Sequence, residues 1–274
     1  TAGLEAACTA AEVGCNTFLL EEKETLGGLA AEISKIPAKK RLADFPHYLE
    51  HRAAGLDNLY ILTGTQATPE NIRKFHPNLI VNATGSGPLL PPINGLMDNI
   101  DKEGGNVYSI LGMISHINDF PQDLEGKKIA VIGGGAVGLD VVEFFAARKA
   151  DISIVEMMDQ IGRDLDPVTK NDTKCMMKSH DVHQLTKTAL LEVKADSFLV
   201  KGSEGEYELP FDYGFVCLGM RAKGQLYSQL LEAFSDDDVE VINIGDSQRA
   251  RRIIDGTMEG RNILYHLTQR GYLD

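Results

Sequence analysis

Short β-branched runs alternate along the chain with segments whose apolar residues fall at helical spacing, the pattern of an α/β protein. The clearest stretch begins at Lys127. Ile129-Ala130-Val131-Ile132 is a buried-strand run, Gly133-Gly134-Gly135-Ala136-Val137-Gly138 a glycine turn, and Leu139-Asp140-Val141-Val142-Glu143-Phe144-Phe145 an apolar helix face. Asp151-Ile152-Ser153-Ile154-Val155 is a second short strand and ends in Glu156. Residues 59–62 and 79–82 also read as strands, and Leu42, Phe45, Tyr48 and Leu49 share one face of a helix that follows a connector within 35–54. The strand at 79–82 runs into Ala83-Thr84-Gly85-Ser86-Gly87, a small-residue bend that lets backbone approach a ligand, and residues 88–92 then break regular structure. Residues 181–205 read as short strands with turns, 211–219 and 239–244 as further strands, and 253–266 as one closing helix.

Strand, G-x-G-x-x-G, helix, strand and acid in that order make a dinucleotide-binding unit, and the 23 positions from Gly133 to Glu156 are close to its usual spacing. Gly133 permits the tight turn, Gly135 lets amides approach a pyrophosphate, and Gly138 lets the helix pack close to the strand. Ala136 and Val137 lie between them, where the helix N-terminus offers its positive end to phosphate. Glu156 is expected to accept hydrogen bonds from the adenosine ribose and to repel a 2′-phosphate. Met157, Met158 and Asp159 follow it with no cation, so NADH is favoured over NADPH.

Displaced by 135 positions, the chain matches itself. Ala2-Gly3-Leu4-Glu5-Ala6-Ala7 falls on Val137-Gly138-Leu139-Asp140-Val141-Val142, Thr17 to Glu21 on Ile152 to Glu156, and Leu26-Gly27 on Ile161-Gly162. The expected fold class is therefore α/β with two tandem Rossmann-like dinucleotide-binding domains, the second inserted in the first, and with the N-terminal strand and glycine turn of the first missing. The expected domains are 1–102 with 226–274, and 103–225.

A formal charge of −13 argues against a nucleic-acid or anionic-membrane face, while helix N-termini can still bind small anions. Cys8, Cys15, Cys175 and Cys217 form no Cys-x-x-Cys pair and have no zinc or iron–sulfur spacing, and Cys8 and Cys217 lie in apolar runs as packing residues. The seven histidines show no metal or triad spacing, so no metal and no catalytic side chain is expected. Asp236-Asp237-Asp238 reads as a solvated loop. The absence of an apolar run long enough to span a bilayer and of a signal-like N-terminus makes a cytoplasmic location the expectation.

Two nucleotide folds in tandem, the Ala83-Thr84-Gly85-Ser86 bend and a late strand ending in Ile244-Gly245-Asp246 resemble the two-dinucleotide-fold flavoprotein reductases. Together with Leu26-Gly27-Gly28 and Ile154-Val155-Glu156-Met157, they make the chain similar to the C-terminal FAD and NAD(P)-binding portion of multidomain NADH:flavin oxidoreductases of the 2-enoate reductase, 2,4-dienoyl-CoA reductase and trimethylamine dehydrogenase kind. The resemblance implies that the first fold holds FAD through Gly3, Glu21, Gly27, Gly28, Gly245 and Asp246, with Ala83, Thr84 and Gly85 lining the same groove. It implies that the second fold holds NAD through Gly133, Gly135, Ala136, Val137, Gly138 and Glu156, and it adds Gly219 to the cofactor contacts. Arg251-Arg252-Ile253-Ile254 would start a helix beneath the flavin. Asp140 stands where such proteins have glutamate, and their flavin-binding barrel and iron–sulfur cysteines are not in this chain.

The function that follows is hydride transfer from NADH to FAD, which needs orientation and no protein acid or base, with electrons passing on to a partner flavin or iron–sulfur domain upstream. The alternative is a nucleotide-binding structural module, holding ADP or NAD without redox activity of its own. A self-sufficient disulfide reductase is disfavoured by the lack of a Cys-x-x-Cys pair.

Overall fold

A computed structural model describes residues 1–273 and parts the chain into two units, one of residues 1–35, 39–87 and 221 onward, the other of residues 36–38 and 88–220. In chain order, the first unit holds α1 (Ala2–Glu12), β1 (Thr17–Leu20), α2 (Gly28–Ile33), α3 (Asp44–Ala54), β2 (Leu59–Leu62), α4 (Pro69–Arg73) and β3 (Leu79–Asn82). A short strand, β4 (Ser86–Pro88), leads out of it. The second unit runs through α5 (Leu96–Asn99), β5 (Val107–Tyr108), α6 (Ile110–Ser115), β6 (Lys128–Ile132), α7 (Ala136–Ala146), β7 (Asp151–Val155), α8 (Pro167–Ser179) and β8 (His183–Leu185). It continues with β9 (Ala189–Val193), β10 (Ser197–Gly202), β11 (Gly205–Pro210) and β12 (Tyr213–Val216). The chain returns through β13 (Met220–Ala222) to α9 (Gln225–Ala233), β14 (Glu240–Asn243), α10 (Ile253–Arg261) and α11 (Ile263–Gln269) in the first unit.

The second unit is a parallel sheet in the order β5-β12-β6-β7-β8, with Val131 beside Ile154 and Phe215 beside Val131. Its central strand is buried on both faces, as parallel sheets require, and Ile129, Val131 and Ile132 are each nearly inaccessible. Phe120, Phe144, Phe145 and Phe215 pack edge-on or tilted on one side. On the other, Phe198 and Val200 of the antiparallel β9-β10-β11 sheet meet Ala130, Ile132 and Val216.

The expected break after residue 102 falls instead after residue 87, and the return crossing lies at 220–221 instead of 225–226. Leu96 and Ile100 are buried in the second unit's core with Val107, Ala130 and Ile132, which ties the irregular segment 88–102 to that unit. The closing helix is likewise two helices. Asn262, with ψ near −5°, interrupts it, although Ile263 and Leu267 beyond the break still pack on Ile242 and Ile244.

In the first unit β1 pairs with β2 and β3 with β14, both parallel, as two separate ladders. The 135-position offset places β1 on β7, yet β7 has partners on both edges and β1 on one. Among the described residues, no strand of this unit occupies the position that β6 holds in the other. Helix α1 packs in two directions. Leu4, Ala7, Cys8 and Ala11 meet Leu49 and Ala53 of α3, while Ala6 meets Ile242, Ile244 and α11. Gly256 and Gly260, one helical turn apart on α10, let α1 come close, since a Cβ on Gly260 would lie 2.8 Å from the Ala2 carbonyl oxygen.

Close packing there buries Glu5 completely. Its Oε1 accepts hydrogen bonds from Arg52 Nη1 of α3 and Arg261 Nε of α10, each at 2.8 Å, while its Oε2 is buried without a partner. Arg52 sends its Nε and Nη2 to Glu12, two turns further along the same face of α1. Removing Arg52 leaves a buried carboxylate short of a cation, a loss of about 3 kcal/mol for such pairs. In urea denaturation, Arg52→Ala is therefore expected to lower the midpoint clearly, and Arg41→Ala, whose pair with Asp44 is solvent-exposed, to leave it unchanged.

Candidate dinucleotide sites

The glycine turn between β6 and α7 separates residues the fold requires from residues it does not. Gly133 has φ +103° and a Cβ there would strike the carbonyl of Cys217, while a Cβ on Gly138 would strike the carbonyl of Gly133. Both positions exclude any larger side chain. Gly135 differs: its φ is −80°, and no atom lies within 4 Å of where its Cβ would be. Neither backbone conformation nor packing in this chain demands a glycine there. Gly135 and Ala136 are exposed, Val137 is half-buried, and no side chain caps the start of α7, so its first amides have no side-chain acceptor.

Glu156 leaves the end of β7 and turns back on this loop. Its Oε2 accepts the Gly134 N–H at 2.7 Å and its Oε1 the Met158 N–H at 2.8 Å. The carboxylate thus braces the turn, and each oxygen keeps a lone pair for a ribose hydroxyl. Met157 beside it is 68% exposed, and no cation stands at 157–159. Gly219 lies after β12 with φ +101° and nothing within 4 Å of where its Cβ would be.

In the first unit the expected residues gather at the start of α1. A Cβ on Gly3 would lie 3.0 Å from the Ala83 Cβ, one on Gly28 4.0 Å from the Thr1 nitrogen, and one on Gly245 2.8 Å from the Ala2 Cβ. Gly27, Gly28, Gly85 and Gly245 all have positive φ, which only glycine adopts freely. Glu21 follows β1 as Glu156 follows β7, and like Glu156 it accepts a backbone N–H two residues on, that of Lys23 at 3.0 Å. The Thr84 hydroxyl is 3.2 Å from both Asn82 Oδ1 and the Lys223 carbonyl.

Asp246 is held on both oxygens. Oδ2 accepts from the Ser86 hydroxyl and Oδ1 from the Arg251 N–H, each at 3.0 Å. Glu259 of α10 accepts the Gly245 N–H on Oε2 at 2.6 Å and pairs with Arg251 Nη2 through Oε1 at 2.5 Å. Sequence reading did not single out Ser86 or Glu259 as site residues. Ser86 belongs to the small-residue bend, but its partner lies 160 positions away, and nothing local announces that contact.

Residues 1–245 match the pyridine nucleotide-disulphide oxidoreductase family. The chain belongs to this family. It is 28% identical to an NADH oxidase of Thermoanaerobacter brockii over 97% of its own length and 39% of that protein's, and 29% identical to a bilirubin reductase of Mediterraneibacter gnavus over 94% and 38%. The solved histamine dehydrogenase of Rhizobium sp. 4-9 superposes with a TM-score of 0.81 at 18% identity, covering 97% of this chain and 42% of that one. The chain thus spans about two-fifths of the length of each of these three relatives. Membership bears out the expected resemblance and the dinucleotide-binding fold class, and it makes the chain part of an oxidoreductase family whose cofactors are FAD and NAD(P)H. Among the described residues no His, Cys, Asp or Glu cluster could hold a metal, and no helix is long and apolar enough to cross a membrane.

The two kinds of glycine in the second turn respond differently to one methyl group. Gly138→Ala is expected to destabilise by about 2–3 kcal/mol, seen as a lower urea midpoint. Gly135→Ala is expected to keep the wild-type midpoint and to weaken NADH retention in equilibrium dialysis by roughly tenfold.

Proposed function

We propose that this chain is an electron-entry module in which NADH, held by the second unit, reduces FAD, held by the first, and electrons pass on to a further flavin or iron–sulfur domain. The observation that carries it is Gly135, a glycine whose missing side chain makes room for nothing in the protein and so leaves room for a ligand. In this reading the turn of Gly133, Gly135, Ala136, Val137 and Gly138 presents amides to the NADH pyrophosphate, and Glu156 takes a ribose hydroxyl. Gly219 adds a further cofactor contact in this reading. Gly3, Glu21, Gly27, Gly28, Ala83, Thr84, Gly85, Gly245 and Asp246 hold FAD. Bound FAD supplies the acceptor for the hydride of NADH; the protein's part is to bind and orient.

No side chain of the chain needs to act as acid or base. Among the cysteines, Cys217 is fully buried and its thiol pushed strongly up by that burial, and Cys8 is buried with its thiol likewise raised, so neither offers a thiolate for disulfide exchange. The onward partner is supported by length: the relatives named for NADH oxidation and bilirubin reduction are far longer than this chain. A cytoplasmic location agrees with the family and with the free cysteines.

The two separate ladders of the first unit, in which β1 pairs on one edge only, favour a second reading, a nucleotide-binding module without redox activity. Absorbance decides between them. A purified protein with a flavin band near roughly 450 nm that bleaches on NADH addition supports electron entry. A protein that retains NADH but neither carries nor takes up bleachable FAD establishes the structural module instead.

The NADH assignment has its own test. Glu156→Ala removes the charge that opposes a 2′-phosphate along with the brace on Gly134, and is expected to lower the NADH-over-NADPH preference at least about tenfold in dialysis. An unchanged preference overturns the role given to Glu156.

A further inference from the structure

We infer that Ser86 and Glu259 are positioning residues that hold the Gly245–Asp246 turn in its binding conformation before FAD arrives, an inference that rests on the reading of Asp246 as a flavin contact. The turn needs holding. Gly245 sits at φ +65°, and Asp246 is a half-buried carboxylate on a three-residue 3-10 segment, Gly245–Ser247, between β14 and an irregular stretch that runs to Arg252. Such a segment has few bonds of its own to fix a side chain.

The bonds come from two sides. Ser86, 4% exposed, donates its hydroxyl to Asp246 Oδ2. On the other side Glu259 closes a ring: it accepts the Gly245 N–H, pairs with the Arg251 guanidinium, and Arg251 donates its own N–H to Asp246 Oδ1. The ring runs Gly245, Asp246, Arg251, Glu259 and back to Gly245, and each member is fixed by the next. Both oxygens of Asp246 thereby have a set direction, and each retains a lone pair for a ligand hydroxyl. Ser247, just beyond, is buried and tied to the Asn82 and Ile244 carbonyls, which anchors the far side of the turn.

A side chain oriented in advance loses less freedom when its ligand binds, so its supports appear in affinity. Loosening them costs binding while the fold remains. Neither Ser86 nor Glu259 reaches the cofactor in this account; they act through Asp246.

The test is equilibrium dialysis of FAD against the 274-residue chain, with NADH dialysis as the control for the second unit. Ser86→Ala is expected to weaken FAD retention by roughly tenfold, the usual scale for a hydrogen bond to a charged group, with NADH retention unchanged. Ser86→Thr, which restores the hydroxyl, is expected to recover most of the loss. Glu259→Gln keeps an acceptor for the Gly245 N–H but loses the charge that holds Arg251, and is expected to fall between Ala and wild type. FAD retention by Ser86→Ala within twofold of wild type overturns the inference, and so does a Thr variant as weak as the Ala one. If Ser86→Ala does not fold, Glu259→Gln decides alone: weaker FAD with intact NADH retention upholds the inference, and unchanged FAD retention overturns it. A wild-type chain that retains no FAD overturns the flavin reading itself, and this inference with it.

Discussion

The burial of one carboxylate organises the first unit. Glu5 has no access to water, so its charge must be met inside the protein, and the cations that meet it come from α3 and α10. Two helices far apart in sequence are thereby pinned to α1 at one residue. Gly256 and Gly260 make the close approach of α10 possible, because any side chain at these positions would hold α1 away from α10 and its Arg261. The rest of the unit follows from that helix pair: α1 presents its start to Gly28, Ala83 and Gly245, and α10 carries Glu259 back to the Gly-Asp turn. The charge network is thus also a ruler, setting where a helix N-terminus stands relative to a carboxylate. The 135-position offset places Asp140 opposite Glu5. In the second unit the shorter acid is half-buried where its counterpart is fully enclosed, so the duplicated helix has kept an acid but not the same burial.

What the sequence made legible is what depends on neighbours in the chain. β6, the glycine turn, α7 and β7 appear where the pattern predicts them, because strand periodicity, positive-φ glycines and helical spacing are local properties. β1 was legible through the internal repeat alone, since Thr17–Leu20 is too short to stand out by itself. The division between the units was not. Residues 88–102 carry two prolines in a row and no clear period, and only the burial of Leu96 and Ile100 shows which core they serve. The contacts that shape the Asp246 turn were equally hidden: Ser86 and Arg251 stand in separate motifs, and only the fold sets them beside one carboxylate. The short helices α4 and α6 are capped by the hydroxyls of Thr68 and Ser109, but five and six residues are too few for a helical period to stand out in the sequence.

The glycines show why a motif needs geometry to be interpreted. Within one G-x-G-x-x-G turn, two glycines satisfy constraints internal to the protein and one satisfies none. A sequence comparison weights the three alike. The structure does not: Gly133 and Gly138 would persist in a unit that bound nothing, since each excludes a clash with a carbonyl oxygen. Gly135 is the position at which ligand binding and folding come apart, and it is the stronger sign of function for that reason.

An acidic chain that binds a pyrophosphate must do so without a general attraction for phosphate, and at −13 the mean field of this protein opposes the ligand. Backbone donors resolve the conflict. The amides at the start of α7 carry partial positive charge directed at one small volume, where the helix dipole adds to them and the net charge, spread over the surface and screened within roughly 8–10 Å, counts for little. Glu156 fits the same logic. Its carboxylate accepts the Gly134 N–H, so the charge that would disfavour a phosphate on the ribose also fixes the loop proposed to receive the pyrophosphate. In the proposed reading, selection against one phosphate and accommodation of two others would depend on a single side chain, whose two oxygens are each fixed by a backbone N–H.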